Sequence, residues 1–183
     1  EPYRRQRQMC IRDRIEYVLD TLISNGHSAY IVGGCVRDLL CGKQPHDYDI
    51  TTSALPSETQ RLFEKTVATG LKHGTVTVII DGEPIEVTTF RTESVYKDSR
   101  HPESVKFVSS VKDDLTRRDF TINAICYNKY EGLIDLFGGE EDIKNKTLRA
   151  VGNAKARFKE DALRIMRLFR FAATLGFNIE GQT

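Results

Sequence analysis

Three carboxylates and a glycine pair carry the first chemical signal in this 183-residue chain. Residues 29–52 read AYIVGGCVRDLLCGKQPHDYDITT, an apolar strand, a Gly-Gly turn, a short helix and a second strand. The second strand opens on Asp47 and Asp49, with Tyr48 between them. Successive strand residues point to opposite faces, so the two aspartates share one face. Bare carboxylates that close repel, and each raises the pKa of the other. A cation between them relieves the conflict. Glu86 lies on a later strand, IEVTTF, on the same face as Thr88. If that strand neighbours the Asp47 strand, Glu86 completes a three-carboxylate cluster. Oxygen-only donors suit Mg2+, which keeps several waters and bridges to substrate phosphates. Two such ions stabilise the attacking and leaving oxygens of an in-line displacement. The chemistry implied is nucleotidyl transfer, a 3′-hydroxyl attacking an α-phosphate.

Other residues supply the means to hold a nucleotide. Gly33 and Gly34 follow a buried strand and precede a helix, where backbone N–H groups can face phosphates. A plain tight turn is the simpler reading of the pair alone. Arg37, one helical turn on, reaches the same space, and Asp38 can orient it. In RRDFTINA, Arg117 and Arg118 offer charge, while Asp119 and Asn123 offer groups for ribose hydroxyls. Arg164, Arg167 and Arg170 recur every three residues, with Asp161 three before the first. Such an Arg and Asp can present donor and acceptor edges to a base, and the other arginines can grip phosphates. A solvated arginine face is the alternative. Met166, Phe169 and Ala173 are then expected to face the core.

The elements that must position these groups follow from periodicity. Ile15, Val18, Leu19, Leu22 and Ile23 predict a helix ended by Asn25-Gly26. A helix capped by Ser53 or Ser57 is expected to run to about Lys65. Residues 75–80 and 85–90 predict a hairpin around Asp81–Pro84. Residues 91–104 read as a long polar loop, 113–128 as a helix, and 133–136 and 148–151 as short strands. From Asn153 onward one long helix is expected, with Gly176 as its C-cap. The fold class is α+β. Residues 1–14 form a basic arm, 15–152 a first domain, and 153–183 the start of a helical one. Net charge is +1, so any basic surface arises from local clustering. No apolar run approaches a membrane span, no secretory leader is evident, and Cys10, Cys35, Cys41 and Cys126 lack CxxC spacing. A cytoplasmic protein with reduced structural thiols is expected.

The segments VGGCVRD, DYDITT, IEVTTFR, RRDFTINA, LIDLFGGEED and KEDALRIMRLFRF occur in the order found in class II (bacterial-type) tRNA nucleotidyltransferases and poly(A) polymerases, which this chain resembles from about Ile15 to Phe177. The resemblance implies a nucleotidyltransferase palm, a mixed sheet with helices packed on it, followed by a helical neck. It implies that Asp47 and Asp49 bind Mg2+, with Glu86 as a supporting carboxylate. It implies nucleotide contacts from Gly34, Arg37 and Arg118, beside Gly33 of the same turn. Glu160, Asp161 and Arg164 match a motif that acts as a protein template for CTP and ATP, and Arg167 and Arg170 match further contacts. The implied partners are CTP, ATP and the tRNA 3′ end, with no protein partner evident. Retention of TESVYKDSRHPESV and the lack of a basic run after the hairpin favour CCA addition over polyadenylation. A non-catalytic nucleotide- or RNA-binding module is the alternative of another class, because the family's body and tail are missing here.

Overall fold

Alternating apolar and β-branched residues build one central sheet whose ends carry the site. The computed structural model describes residues 2–93 and 105–183. Helix α1 (Pro2–Ser24) buries Ile15, Val18, Leu19 and Leu22, the residues whose spacing predicts it. It begins at Pro2, so the expected irregular arm is helical from that residue on. Gly26, at φ 85°, ends it. There follow β1 (Ala29–Val32), α2 (Gly34–Leu40) and β2 (Asp49–Thr52). Asp47 lies just before β2, so the aspartate pair straddles the start of the strand.

Helix α3 (Pro56–Leu62) is shorter than expected and is capped by neither serine. The Glu58 carboxylate accepts from the Leu55 amide at 2.7 Å, while Ser53 Oγ accepts from the Ser28 amide at 2.9 Å. Strand β3 (Thr66–Gly70) leads through a 3-10 turn to the predicted hairpin, β4 (Thr75–Ile80) and β5 (Glu83–Thr89). Strand β6 (Arg91–Glu93) replaces the start of the expected loop and pairs in a ribbon with β7 (Val105–Phe107), which begins just after the loop's end. The rest of that loop lies outside the described residues.

The expected helix 113–128 is three elements. These are α4 (Val111–Thr116), a 3-10 turn Thr121–Asn123, and β8 (Ile125–Asn128). The Asp119 carboxylate accepts from the Phe120 amide at 2.8 Å, a local bond that competes with helix. Pairing of Tyr127 with Ile31 and of Cys126 with Val32 then draws β8 into the sheet. The chain continues through β9 (Gly132–Asp135), α5 (Gly139–Lys144) and β10 (Thr147–Leu148). The single long helix expected next is two, α6 (Ala154–Glu160) and α7 (Leu163–Leu175). Asp161 separates them in extended conformation. Gly176, left-handed at φ 68°, caps α7, and β11 (Asn178–Ile179) pairs with β10.

The main sheet has the order β3-β4-β5-β2-β1-β8-β9, parallel only between β2 and β5 and therefore mixed, as expected. The larger core joins Val18 and Leu22 of α1 to Ile31, Ile50 and Val87 of the sheet and to Leu168 and Phe171 of α7. A smaller cluster of Tyr30, Val32, Phe90, Leu115 and Cys126 covers the other face. Met166 and Phe169, expected in the core, are 68% and 60% exposed. Leu168 and Phe171 take that place, because they lie on the helix face turned to Phe120. Cys35, Cys41 and Cys126 are free thiols, and burial pushes Cys126 up to about 12, which keeps it protonated. Among the described residues no helix is long and apolar enough to cross a membrane.

Gly139 fixes how α5 meets the turn that carries Asn123. A Cβ there would collide with the Thr121 carbonyl and lie 2.9 Å from Ile125 Cδ1. Gly139→Ala is expected to cost about 1–3 kcal/mol through overpacking. Gly181→Ala, which meets nothing within 4 Å, should stay within about 0.5 kcal/mol of wild type. Urea denaturation of both variants checks this.

Candidate functional site

Register brings the candidate residues to one end of the sheet. Val32 at the end of β1 pairs with Asp49 at the start of β2, and with Cys126 near the start of β8. Asp49 in turn pairs with Glu86 on β5. The Gly33-Gly34 turn after β1, Asp47 before β2 and the Thr121–Asn123 turn before β8 therefore adjoin. Gly33 has φ 79°, and a Cβ there would sit 3.3 Å from Arg118 Nη1. The positive φ favours glycine at this turn, and a Cβ would crowd the neighbouring cation.

On one side of Asp49 lies a cleft of about 710 Å³, lined by Gly33, Gly34, Arg37, Arg118 and residues of α7. Arg37 donates through Nε and Nη2 to Asp38 Oδ1 at 2.9 and 2.7 Å, as expected, and through Nη1 to Asn123 Oδ1 at 2.9 Å. Asn123 Nδ2 donates to Asp119 Oδ1 at 3.1 Å. Arg167 donates to Asp119 Oδ2 at 2.7 Å through Nε, and its Nη2 lies 2.6 Å from the same oxygen. Asp119 and Asn123 thus meet through a folded turn instead of the expected helical one. Arg118 Nε, like Arg91 Nε and Arg157 Nε, is buried without a hydrogen-bond partner among the described residues.

The residues matched to a base-reading template are placed differently from one another. Arg164 is buried and donates to Glu160 Oε2 at 2.8 Å and to the carbonyls of Arg157 and Arg117 at 3.2 and 3.1 Å. Asp161 accepts from the Leu163 amide at 2.9 Å and so begins α7. Both line the cleft, but Arg164 pairs with Glu160 instead of Asp161. Arg170 lies at the exposed rim of the same cleft.

On the other side of Asp49 a second cavity, about 480 Å³, holds Asp47, Asp49 and Glu86. The predicted neighbourhood of Glu86 and Asp49 is present as direct strand pairing. The expected cluster is looser than a cage, however. Among the described residues no three Asp, Glu, His or Cys side chains converge closely enough to hold a metal together. That fits Mg2+, which binds through one or two carboxylates plus waters and substrate phosphates. Asp49 is exposed at the start of β2, yet partial desolvation raises its carboxyl above the ordinary range; Arg118 opposes the shift and Asp47 adds to it. A carboxylate beside a second one is a suitable donor for a hard cation.

Asp114 and Phe171 are site residues that the motifs did not single out. Asp114, fully buried, accepts from Arg117 at 3.0 and 2.7 Å, Arg118 at 3.1 Å, Thr51 Oγ1 at 3.2 Å and the Arg91 amide at 3.3 Å. Its spacing of three and four from the two arginines on a helix end is the signal that marks it. Phe171 lines the cleft between arginines and carries the same kind of signal, four residues after Arg167.

Burial opposes ionisation of Asp114, but the charges and hydrogen bonds of Arg118 and Arg117 prevail and hold its pKa below the ordinary value. A depressed folded pKa gives stability that is present above the unfolded pKa and lost as pH falls through the folded one. Wild-type stability is therefore expected to decline as pH drops below about 4. Asp114→Asn should cost about 2–4 kcal/mol at pH 7 by removing the buried counter-charge of two half-buried arginines, and should flatten that acid decline. Urea titrations at pH 7 and at acid pH test this; a loss under about 1 kcal/mol at pH 7 would refute the assignment.

Comparison with known proteins agrees with this geometry. The Poly A polymerase head domain matches residues 29–149. The CCA-adding enzyme of Bacillus cytotoxicus is 57% identical over 166 residues, covering 91% of this chain and 42% of the relative. That of Lactobacillus helveticus is 55% identical with the same coverage. Among solved structures, the CCA-adding enzyme of Bacillus stearothermophilus in complex with CTP superposes with a TM-score of 0.85 at 47% identity, covering 92% of this chain and 40% of that one. A tRNA nucleotidyltransferase complexed with a primer tRNA and an incoming ATP analog gives 0.71 at 33% identity, covering 91% and 47%. This chain spans about two fifths of the curated relatives it matches. With its mixed sheet, its Gly-Gly turn and its carboxylate pair at one sheet edge, the chain belongs to the Poly A polymerase head domain family.

Proposed function

We propose that this chain is the nucleotide- and metal-holding part of a tRNA nucleotidyltransferase that adds CCA to tRNA 3′ ends from CTP and ATP. One observation carries the reading: Asp49 lines both the arginine cleft and the carboxylate cavity. A triphosphate held in the cleft then presents its α-phosphorus at the carboxylates. The relatives named CCA-adding enzymes, one of them solved with CTP, support CCA addition over polyadenylation.

In this reading Arg37, Arg118, Arg167 and Arg170 grip the triphosphate, and the Gly33-Gly34 backbone lets it approach. Asp119 and Asn123, held by Arg167 and Arg37, face the ribose hydroxyls. Asp161 and Arg164, which also line the cleft, are the groups that would read the base. The RNA 3′-hydroxyl enters beside Asp47 and Glu86, and its oxygen bonds to the α-phosphorus as the bond to pyrophosphate breaks. The arginines meet the negative charge that accumulates on pyrophosphate as it leaves. Asp47 and Asp49 would hold Mg2+, which when bound supplies neutralising charge at the reacting phosphate. Positioning and electrostatics are the protein's whole contribution to such a transfer.

The test is a product ladder. The chain is incubated with Mg2+, a tRNA ending before CCA, and labelled CTP and ATP, separately and together. Two C additions followed by one A are expected. A long A tract would overturn CCA addition in favour of polyadenylation, and the absence of both product and nucleotide binding would overturn the reading as a whole. Asp47→Ala and Asp49→Ala should each lower incorporation at least about 100-fold, with circular dichroism and melting temperature unchanged. Incorporation at wild-type rate in either variant would remove the metal assignment.

A further inference from the structure

Three guanidinium groups converge on one aromatic ring in the cleft. The Cζ atoms of Arg170, Arg37 and Arg167 lie 5.0, 5.2 and 5.4 Å from the centroid of Phe171. These cations come from two helices, Arg37 from α2 and the other two from α7. The ring itself is fixed. It is buried, and it stands edge-on to Phe120 at 5.9 Å with an interplanar angle of 90°. Asp38 pairs with Arg37 and Asp119 with Arg167, but Arg170 forms no ion pair among the described residues. Three like charges so close together repel, and more strongly where water is partly excluded. An aromatic ring counters this, because its quadrupole places negative charge on its faces and attracts each cation there.

We propose that Phe171 is a positioning residue for nucleotide binding: its ring holds Arg37, Arg167 and Arg170 convergent on one polyanion, the triphosphate of a nucleotide, before that anion arrives. The inference rests on the reading of the cleft as the nucleotide site. It adds a role for an apolar side chain that acts through the three arginines around it. In a core position, any side chain of the right volume and shape preserves packing. Only an electron-rich ring also offsets cation repulsion. The two roles therefore separate when the ring keeps its shape and loses its quadrupole.

Phenylalanine analogues bearing increasing numbers of ring fluorines, placed at position 171, make that separation. Fluorination drains the negative faces stepwise and changes shape little. Dissociation constants are measured for CTP and for inorganic triphosphate by calorimetry, with melting temperature recorded for each protein. Both ligands are expected to weaken stepwise along the series, by about tenfold at full fluorination, with melting temperature nearly constant. Phe171→Leu should weaken both ligands as well, whereas Phe177→Leu, the same change in the same core cluster, should not. Arg37→Ala serves as the control for the site. If Arg37→Ala weakens CTP while the fluorinated series leaves both ligands unchanged, the positioning role is overturned. Weakening of CTP alone, with triphosphate unaffected, would also overturn it, because the effect would then lie with the base. If neither Arg37→Ala nor the series alters CTP binding, the reading of the cleft falls instead.

Discussion

A buried negative charge lets this cleft exist. Arg117 and Arg118 are adjacent in sequence, and both guanidiniums reach the carboxylate of Asp114, which has no solvent exposure. Unit charges about 4 Å apart interact by roughly 4 kcal/mol at the dielectric typical of a protein surface, and burying an ion costs several kcal/mol. Neither arginine could be held at the sheet edge without a fixed counter-charge. Asp114 also accepts from Thr51 of β2 and from the Arg91 amide of β6, so the same group ties the arginine-bearing turn to the sheet and the ribbon. Arg117 extends the lattice. Its guanidinium donates to Glu93 at 3.1 Å, and its carbonyl accepts from Arg164. Helix α7 is thereby attached to the head by polar contacts as well as by Leu168 and Phe171 in the core.

Much of the sheet and its edge was legible in the sequence because strand signals here are local. TVTVII and IEVTTF announce a hairpin by alternation and by the turn between them, and β4 and β5 form it. The alternation of Asp47, Tyr48 and Asp49 placed the tyrosine against the core and the aspartates in the cavity. What alternation could not give is which strands neighbour one another. The parallel pairing of β2 with β5 depends on long-range packing, so the approach of Glu86 to Asp49 was conditional until the register was known. The misread helix at 113–128 has a similar cause. Local propensity favours helix there, and tertiary pairing of β8 with β1 overrides it after Asp119 has bonded its neighbour's amide. On α7 the arginines were legible, but which apolar residues face inward was not. Arg164, read as part of an exposed arginine face, is itself buried, so Leu168 and Phe171, four and seven residues on, share its inward face and Met166 and Phe169 turn outward.

The two carboxylates that matter most at this edge are shifted in opposite directions, and the contrast separates support from chemistry. Both are penalised by desolvation, and both feel Arg118. Asp114 has a second arginine and direct hydrogen bonds from both, so its charge is more than compensated and its pKa falls. Asp49 has only the more distant field of Arg118, and Asp47 works against it, so its pKa rises. Proteins tune groups apart in this way when one must stay inert and the other must bind or react. Asp49 occupies the one position shared by the cationic cleft and the anionic cavity. On the proposed reading, its missing compensation is located where a metal cation would supply it and could also bridge to a phosphate held by the arginines. A sheet edge that fully neutralised Asp49 would be more stable, and it would leave such a cation nothing to bind.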